Sequence, residues 1–530
     1  MRLPAALLPL EGPVFRGLWF TWLAANMTMW MNDVAAAWLM TTLTTSPVMV
    51  ALVQTASTLP VFLLGLPSGA LADIVDRRRY YAGTQLWVSL VALVIAGCAL
   101  AGVLTPATLL LLTFLNGIGL AMRWPVFSAI VPDVVTRQQL PSALALNGIS
   151  MNLSRVVGPM VAGALLAAAS PAWVFVLNAL LAAVAFVLIL RWKSAPKPSA
   201  LPGERFVGAM RVGLQHVRQS PRMRAVVIRV FLFFLQASAL LSLLPLVARG
   251  LHGGGPGMFT LLMACLGGGA ILAALWFPRW RQRFNRDEFV LYGTLVHAAA
   301  TAVVALVPQA WVAVPAVFLA GMAWISTANT LAMSAQLALP NWVRARGMSI
   351  YQMALMGGTA FGALLFGKVA SFSSVPTAIL VAAVLGPVLL LATQRFSVEG
   401  EEVDFSPATP RNGPEVAIDI EADQGPVMVT LEYRIDPARA AEFNAVMQLT
   451  KAARLRQGAL SWGLFRDTAE PGRYVEYFVD ETWVEHLRRL ERFTAADAEL
   501  RTQRMAFHLG SEPPLLRRYV AETQGGAAPV

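Results

Sequence analysis

The stretch Gly69-Ala-Leu-Ala-Asp73-Ile-Val-Asp76-Arg77-Arg78-Arg79 lies between two long apolar runs, at residues 47–72 and 80–103. Each run exceeds the ~20 mostly apolar residues that a helix needs to cross a bilayer. Charged side chains are costly inside hydrocarbon, so this cluster of acids and arginines marks a point where the chain leaves the membrane and turns back. The stretch therefore predicts a membrane protein built from helices.

Composition agrees with this reading. Apolar residues make up 57% of the 530 residues and charged residues only 13%, which excludes a soluble globular protein of this size. Residues 1–395 hold 26 Lys and Arg against 8 Asp and Glu, whereas residues 396–530 hold 15 against 22. The positive charges lie in short connections between apolar runs, so we interpret them as topology signals and not as a nucleic-acid surface.

Cys98 and Cys265 lie inside separate apolar runs, without a CxxC motif or a Cys/His cluster. We therefore expect no disulfide framework, no metal site and no cofactor. The first apolar run is too long for a signal-peptide core and has no clear cleavage site, so we expect it to remain as a membrane helix.

Twelve apolar runs are long enough to span a bilayer. They cover residues 17–41, 47–72, 80–103, 106–130, 142–168, 172–191, 225–248, 256–278, 288–307, 311–337, 346–371 and 375–395. The longest internal connection, residues 192–224, follows the sixth run, as in a chain with a duplicated half. We predict an all-α polytopic membrane protein with six-helix halves at residues 1–191 and 225–395, joined by a cytoplasmic connector.

Lys and Arg collect in alternate connections, from Arg77–Arg79 after the second run to a pair after the tenth. The other connections hold little more than Arg249 and Lys368. Because basic residues stay on the cytoplasmic side, we predict a bacterial inner (plasma) membrane protein with both termini in the cytoplasm. Within the connector, residues 206–218 suit either an amphipathic helix on the inner membrane surface or a solvated linker.

The C-terminal part has a different character. Residues 396–425 are acidic and rich in Pro and Gly, which is typical of a linker. A module at residues 426–520 reads as strand, helix, strand, strand and helix, with a late strand. The predicted elements lie at 427–434, 437–456, 460–466, 473–479 and 482–490. We predict a cytoplasmic α+β domain followed by a disordered tail at residues 521–530.

Asp33 is the only carboxylate well inside a predicted span. An ionisable group at membrane depth is a functional hypothesis by default, so Asp33 is our predicted proton carrier. Asn26 and Trp30 share its helix face. The same seven-residue interval recurs in every third helix. It relates Asn116 to Arg123, Arg229 to Gln236, and Asn329 to Gln336. We predict that these polar faces line a cavity, with chance spacing as the alternative.

Arg155 lies deep in the fifth span, too far from a loop for its head group to reach water. It needs an anionic partner, either Asp33 or a substrate group, or else it is tied to helix carbonyls. Arg123 and Arg229 lie nearer to the cytoplasmic ends of their spans, where we expect them to snorkel toward water. His297 is a second candidate for proton transfer.

These features together resemble the major facilitator superfamily of secondary transporters. Its signature after the second span matches the residues from Gly69 to Arg79, with Asp76 where a Gly is usual. The fifth span holds Gly158-Pro159-Met160-Val161-Ala162-Gly163, similar to a motif of proton-coupled exporters. In this superfamily helices one, four, seven and ten line the central cavity. The resemblance implies twelve helices in two halves that work by alternating access.

More narrowly, the chain is similar to the transmembrane secretion effector family. The similarity rests on Trp30 to Ala37, Leu43-Thr-Thr-Ser-Pro47, Leu59-Pro60, Asn147 to Pro159 and Glu432-Tyr-Arg-Ile-Asp-Pro437. It implies export of small molecules such as siderophores or drugs. Two departures concern charge. The loop at 278–286 lacks an acid at the matching place, and the fourth span lacks an Arg one turn before Gly117, so Arg123 or Arg155 would have to replace it.

The residue types of the two motifs suggest physical roles. Asp73 can accept charge-assisted hydrogen bonds and so act as a latch between states. The predicted gating loop comprises Gly69, Asp73, Arg77 and Arg78. Gly158 and Gly163 allow close helix approach, and Pro159 permits a bend. The alternatives are topology marking for the arginines and ordinary tight packing for the glycines.

The tail resembles the antibiotic-biosynthesis monooxygenase type of ferredoxin-like α+β barrel, a module that usually pairs through its sheet. Several of its side chains could line a pocket, but they form no nucleophile and base pair. These are Trp462, Tyr474, Trp483, His486 and His508. The resemblance favours a regulatory domain, or self-association through this domain, over an enzyme.

Our leading hypothesis is a proton-coupled exporter, an antiporter of small amphiphilic molecules, and not an enzyme. The expected partners are the small-molecule substrate, protons and the lipid bilayer. The alternatives are a membrane-anchored enzyme whose tail carries the chemistry, a sensor whose tail reports on transport, and uptake in place of export.

Overall fold

The computed structural model describes residues 5–136, 138–192, 206–251, 254–281, 283–340, 342–400, 403–406, 408 and 416–522. The chain forms two compact units. The first contains both six-helix sets, and the second contains residues 198–224, 335–347 and 400–530. Of the predicted disordered tail at 521–530, all but the first two residues lie outside the described part, as do several residues of the predicted linker.

Six long helices form the first set, after a short 3₁₀ helix at Ala5–Glu11. They are α1 (Pro13–Leu43), α2 (Pro47–Ile74), α3 (Arg77–Leu100), α4 (Pro106–Val134), α5 (Leu140–Ala168) and α6 (Pro171–Arg191). Four of them begin at a proline. Proline suits this position because its fixed φ is already helical and its missing N–H has no helical partner there.

A helix in the connector and six further long helices follow. They are α7 (Phe206–Gln219), α8 (Pro221–Gly250), α9 (Pro256–Arg281), α10 (Arg286–Leu306), α11 (Ala310–Leu337), α12 (Arg344–Phe372) and α13 (Val375–Ala392). Apart from α7, each corresponds to a predicted span, so the predicted fold class is confirmed. Within the described residues, eleven helices are long and apolar enough to cross a membrane. The remaining one, α1, has the length but carries Asn26, Asn32 and Asp33.

The two six-helix sets meet along two seams. In one seam α5 packs on α9 so closely that a Cβ at Gly163 would overlap the side chain of Thr260. In the other, α2 contacts α12, and Thr55 Oγ1 donates a hydrogen bond to Ala360 O at 2.9 Å. A buried apolar core draws residues from both sets. Small residues and hydrogen bonds between helices are the contacts that hold helices together in lipid.

The second unit contains a four-stranded antiparallel sheet with helices. Its elements are β1 (Val427–Arg434), α14 (Ala440–Arg456), β2 (Ser461–Arg466), β3 (Arg473–Asp480), α15 (Trp483–Glu491), α16 (Ala495–Met505) and β4 (Leu515–Val520). The strand order is β2-β3-β1-β4. This confirms the predicted sheet and helices. Only α16 was not predicted, because its apolar side chains are few and do not repeat at helical spacing.

The core of this unit lies between the sheet and the helices. Alternate residues of β1, from Val427 to Tyr433, are buried, as the two-residue period of a strand requires. They pack with Phe443 and Met447 of α14 and with Phe478 of β3. The opposite face of the sheet carries the more exposed side chains of β1.

One side of α7 packs inside the second unit. Val212 and Val217 are buried, and α7 packs on α14. Arg211 Nη2 forms an ion pair with Glu481 Oε2 at 2.7 Å. The expectation of a solvated linker is therefore wrong. The expectation of a helix at the membrane surface stays a prediction, because Leu214, on the predicted apolar face, is 43% exposed.

Candidate functional site

Asp33 lies in a small polar cavity inside the first six-helix set. Its Oδ1 accepts a hydrogen bond from Ser57 Oγ of α2 at 2.8 Å. The cavity is lined by Thr28, Met29, Asn32, Asp33, Ser57, Val88, Ala92, Asn116, Leu120, Arg123 and Asn178. Five helices of one set supply these residues. Asp33, Asn116 and Arg123 thus come together as predicted residues of one polar site, although that site lies within a half.

Arg123 closes one side of this cavity. It is only 2% exposed, and its Nη1 donates to Ala25 O at 2.6 Å. Its Nη2 donates to Asn26 Oδ1 at 3.4 Å. The expectation that Arg123 snorkels toward water is therefore wrong. The carbonyl at residue 25 and the neighbouring amide supply acceptors within the protein, so the guanidinium has no need of solvent.

The predicted polar face of α1 divides among three neighbouring helices. Asn26 contacts Arg123 of α4, and Asp33 contacts Ser57 of α2. Trp30 faces α5, where a Cβ at Gly158 would lie 2.8 Å from Trp30 Cβ. Asn26 and Asp33, seven residues apart, point in nearly the same direction but lie about 10 Å apart along the helix, whereas Trp30 points about 40–60° away from both.

Arg155 lies between two indole rings and not beside Asp33. Its guanidinium carbon is 5.4 Å from the ring centroid of Trp30 and 4.7 Å from that of Trp324 on α11. Among the described residues, its Nε and Nη1 have no hydrogen-bond partner. Of the two anionic partners expected for Arg155, Asp33 is therefore not the one in this structure.

The second six-helix set holds a related polar pocket. Arg229 is 6% exposed, and its Nε and Nη1 donate to Phe396 O at 3.2 Å and Leu390 O at 3.0 Å. It does not snorkel either. Gln236 Nε2 is 3.3 Å from His297 Nδ1. The cavity beside them is lined by Arg229, Leu232, Phe233, Gln236, Val290, Thr294, Gly386, Leu390 and Thr393.

The tenth predicted span contributes little to either pocket. Asn329 is partly buried, and Gln336 is exposed one residue before the end of α11. Gln336 belongs to the second unit and not to the unit that holds the membrane helices. The recurrence of a seven-residue interval thus does not bring the four helices to one site.

The predicted gating loop is compact. Gly69 and Asp73 lie in the last turns of α2, and their side chains are outside the described part. Asp76 is the N-cap of α3 and accepts a hydrogen bond from Arg79 N at 2.9 Å. Arg78 Nη1 donates to Trp192 O at 2.8 Å, which ties the start of α3 to the end of α6.

Sequence reasoning missed an acidic contact in the second half. Asp287, in the first turn of α10, accepts hydrogen bonds from Val398 N at 2.9 Å and Glu399 N at 3.2 Å, and from the hydroxyl of Ser397. Glu399 Oε2 in turn accepts from Arg286 N at 2.7 Å. The acid lies just beyond the loop at 278–286, so a search of that loop alone could not find it.

Ser57 and Trp324 were also missed. A serine or a tryptophan inside an apolar helix carries no charge and follows no diagnostic spacing. Only the contacts with Asp33 and Arg155 identify them.

The aromatic and histidine residues predicted for a pocket in the tail have separate hydrogen-bond partners, although Trp483 and His486 stack with their ring centroids 5.3 Å apart. Trp462 Nε1 donates to Glu476 Oε1 at 3.1 Å, whereas His508 Nδ1 accepts from Arg434 N at 3.0 Å. His486 Nδ1 is 2.8 Å from Asp480 Oδ2. Tyr474 and Trp483 pack in the apolar core.

Buried ion pairs fill the interior of the tail domain. Glu476 is fully buried and also accepts from Arg454 Nε at 3.1 Å and Tyr433 OH at 3.0 Å. Burial raises the pKa of Glu476, but the charges of Arg454 and Arg504 outweigh it and hold the pKa below its usual range. Both carboxylate oxygens of Glu476 thus have donors, as expected of a structural network.

Two six-helix sets, joined along close seams and each holding an arginine-anchored polar pocket, define a secondary transporter of the major facilitator fold. The solved nucleoside transporter NupG, in a mutant form, shares the fold with a TM-score of 0.60 and 14% identity, over 72% of this chain and 99% of that one. An inward-facing, occupied bacterial homologue of the lysosomal transporter Spinster gives 0.58 and 15%, over 74% and 98%. At these identities the likeness concerns the fold alone.

The chain belongs to the transmembrane secretion effector family, whose sequence profile matches residues 4–525. The enterobactin exporter of Escherichia coli O1:K1 / APEC is 25% identical over 74% of this chain and 96% of that protein. The staphyloferrin A transporter of Staphylococcus aureus (strain NCTC 8325 / PS 47) is 24% identical over 47% of this chain. Macrolide efflux protein A of Streptococcus pyogenes is 21% identical over 49% of it.

The chain spans 63% of the staphyloferrin A transporter and 65% of the macrolide efflux protein. The family and these relatives are transporters and not enzymes. Membership therefore counts against the alternative of a membrane-anchored enzyme.

Proposed function

We propose that the protein is a proton-coupled exporter of small amphiphilic molecules in the bacterial inner membrane. The observation that carries the proposal is the single carboxylate inside a span, Asp33, whose hydrogen-bond partner among the described residues is the neutral hydroxyl of Ser57. The relatives named as an enterobactin exporter and a macrolide efflux protein support export, and together with the staphyloferrin A transporter they support a chemically broad substrate class. Uptake is the alternative direction.

Asp33 can carry a proton because, among the described residues, no cation forms an ion pair with it, and Arg123 of the same cavity is bound to Ala25 O and Asn26 Oδ1 instead. A carboxylate at membrane depth is costly when ionised and much less so when protonated. Ser57 donates to the ionised form but brings no positive charge. Proton binding and release at Asp33 would therefore favour different arrangements of the two six-helix sets, which rock along the α5–α9 and α2–α12 seams.

The test uses everted membrane vesicles with enterobactin or a macrolide as the probe and a fluorescent dye for the pH gradient. We expect substrate-dependent dissipation of the gradient by the wild type and its loss in Asp33→Asn. Glu11→Gln is the matched control, because Glu11 is an exposed acid at the end of the 3₁₀ helix. Gradient-driven transport at the wild-type rate by Asp33→Asn would remove Asp33 from the mechanism, and transport into intact cells would favour uptake.

We also propose that both termini face the cytoplasm. Lys and Arg are concentrated in alternate connections, as the positive-inside rule requires. A single cysteine introduced at exposed Glu11 or exposed Leu509, in a chain with Cys98 and Cys265 replaced by Ala, should react with an impermeant maleimide only after the cells are opened. Labelling in intact cells would reverse the orientation.

A second candidate role, regulation of transport by the tail domain, has support from the contacts of the second unit. Gln215 of α7 donates from Nε2 to Ala459 O at 3.3 Å, next to the Arg211–Glu481 ion pair. The guanidinium carbon of Arg492 lies 5.0 Å from the ring centroid of Trp342. The domain thus holds both the helix between the two six-helix sets and the segment that links α11 to α12.

Charge reversal tests this role. Arg211→Glu or Glu481→Arg should expose the connector to protease and change the transport rate by about two- to threefold, the size expected for a partly exposed pair. The double exchange should restore both. Glu442→Arg is the control, since Glu442 pairs with Arg439 at the surface. A deletion of residues 400–530 that leaves the rate and its regulation unchanged would overturn the role. Self-association through the domain remains a separate prediction.

A further inference from the structure

Three buried hydrogen-bond donors with no described acceptor lie close together in the middle of the first unit. They are Nε and Nη1 of Arg155 and Nε1 of Trp30. The guanidinium carbon is 5.4 Å from the Trp30 ring centroid, so the three donors belong to one cluster. Buried polar groups in native proteins nearly always have partners. A cluster of donors alone is complementary to an anion.

The fold holds this cluster in place. Gly158, one turn after Arg155, lets α5 approach α1 until a Cβ there would lie 2.8 Å from Trp30 Cβ. From the other six-helix set, the ring centroid of Trp324 lies 4.7 Å from the guanidinium carbon, and Trp324 packs edge-on against Phe234 of α8. The site is therefore built from both sets and would open when they move apart.

The charge of Arg155 is compensated by aromatic faces alone among the described residues. Asp33, the carboxylate predicted inside a span, accepts a hydrogen bond from Ser57. It lines a cavity that does not include Arg155. Two indole faces stabilise a cation through their quadrupoles, but they accept no N–H hydrogen bond in the plane of the guanidinium. The in-plane donors stay available for a ligand that brings its own acceptor oxygens.

We infer that Arg155 and the indole N–H of Trp30 form the docking point for a carboxylate on the transported molecule, with Trp324 packed against the guanidinium. The inference rests on the proposed transport function and narrows its substrate class to organic acids. Carboxylate oxygens match guanidinium and indole donors in number and charge. Although Nε and Nη1 of Arg155 are buried, the residue as a whole is partly exposed, which leaves a route to the site.

The test measures binding without any gradient, on the full-length protein in lipid nanodiscs by calorimetry. The probes are naphthalene-2-carboxylate and its uncharged isostere, naphthalene-2-carboxamide. We expect the wild type to bind the acid at least about tenfold more tightly than the amide, the usual size of one charge-assisted contact. Arg155→Gln should remove this preference and leave amide binding unchanged, whereas Arg155→Lys should keep part of it.

Arg249→Gln is the matched control, because Arg249 also lies over an indole, 5.2 Å from the ring centroid of Trp38, without belonging to the site. If Arg155→Gln does not fold, Trp324→Ala serves in its place and should change the affinity for the acid more than that for the amide. Equal binding of the two probes by the wild type, or an unchanged preference in Arg155→Gln, would overturn the inference. If the protein transports substrate but does not prefer the acid over the amide, the proposed export function stands and the inference fails. If it prefers the acid but does not transport substrate, the result counts against the export function alone.

Discussion

The two six-helix sets use the same anchor for their polar pockets but differ in the ionisable group beside it. Arg123 in the first set and Arg229 in the second both donate to main-chain carbonyls and are nearly buried. The first set then adds Asp33, whereas residues 225–395 contain only Asp287 and Glu288, both in the first turn of α10. Both six-helix sets thus have a buried arginine anchor, but among the described residues only the first set has a carboxylate lining its pocket.

Beside the second pocket, next to its lining residue Gln236, lies a histidine and not an acid. His297 Nδ1 lies 3.3 Å from Gln236 Nε2 and 3.4 Å from Thr301 Oγ1, so neutral groups surround it. A carboxylate and an imidazole with neutral partners respond differently to a proton, because protonation removes charge from the first and adds it to the second. We therefore expect proton coupling from the first six-helix set, with the second set as its structural counterpart.

We expect the greatest change in gradient-driven efflux for Asp33→Asn, and we compare it with His297→Gln. The first should lower gradient-driven efflux by at least about tenfold, because the asparagine cannot take up or release a proton. The second should stay within about threefold of the wild type. Efflux in everted vesicles at matched protein levels measures both. A loss of coupling in His297→Gln would break the comparison and assign proton transfer to the second half.

The next largest effects that we expect are losses of stability when the two arginine anchors are replaced. Arg123→Ala should lower the stability of the protein by about 2–3 kcal/mol, because it leaves Ala25 O and Asn26 Oδ1 without their donor in a buried site. Arg229→Ala should cost about 1 kcal/mol, since its acceptors lie near the exposed end of α13. Thermal unfolding in detergent measures both, with exposed Arg344→Ala as control. Equal losses would show that the two anchors are equivalent.

The acids at the starts of α3 and α10 should differ in how much they contribute to stability. Asp76→Asn should change stability by less than about 0.5 kcal/mol, because Asn is as good an N-cap as Asp. Asp287→Asn should cost about 1–2 kcal/mol, because its carboxylate receives donors from three consecutive residues of another segment. Hydrogen exchange at Val398 and Glu399 reports the loss directly. Unchanged protection there would contradict it.

The smallest effect concerns the connector between the halves. Burial lowers the pKa of His216 to about 4, with a further contribution from the charge of Arg456. The neutral form is therefore favoured when α7 is docked, so docking is fully stable above about pH 6.5 and weakens as the pH falls toward 4. Between pH 7 and pH 5.5 we expect a loss of about 1 kcal/mol.

Protease sensitivity of the connector as a function of pH measures this loss. His216→Gln should flatten the profile while keeping a polar group beside the ring of Trp342, which lies 5.5 Å from the His216 ring. A profile with the same slope in the variant would assign the titration to another group.

The spans and the sheet could be predicted because they follow from long apolar runs and from alternation, which depend on local composition. The destinations of single polar residues could not. Asn26, Trp30 and Asp33 share a face by spacing, yet each meets a different helix, because bundle packing decides which neighbour lies at each angle. The expectation that Arg123 reaches the water interface was wrong for a similar reason. Its acceptors come from another helix, α1, and the local sequence around Arg123 does not show them.

The docking of α7 was equally beyond local reasoning. The amphipathic pattern of residues 206–218 correctly predicted a helix with one apolar face. It could not name the element that α7 packs against, because α14 lies more than 200 residues further along the chain.

That separation sets an order of assembly during synthesis. Glu481 follows its partner Arg211 by 270 residues, a delay of roughly 15–50 s at about 5–20 residues per second. The helices of both halves leave the ribosome before the domain that holds the connector exists. The ion pair between α7 and the tail domain can thus form only after the helices of both six-helix sets have been synthesised.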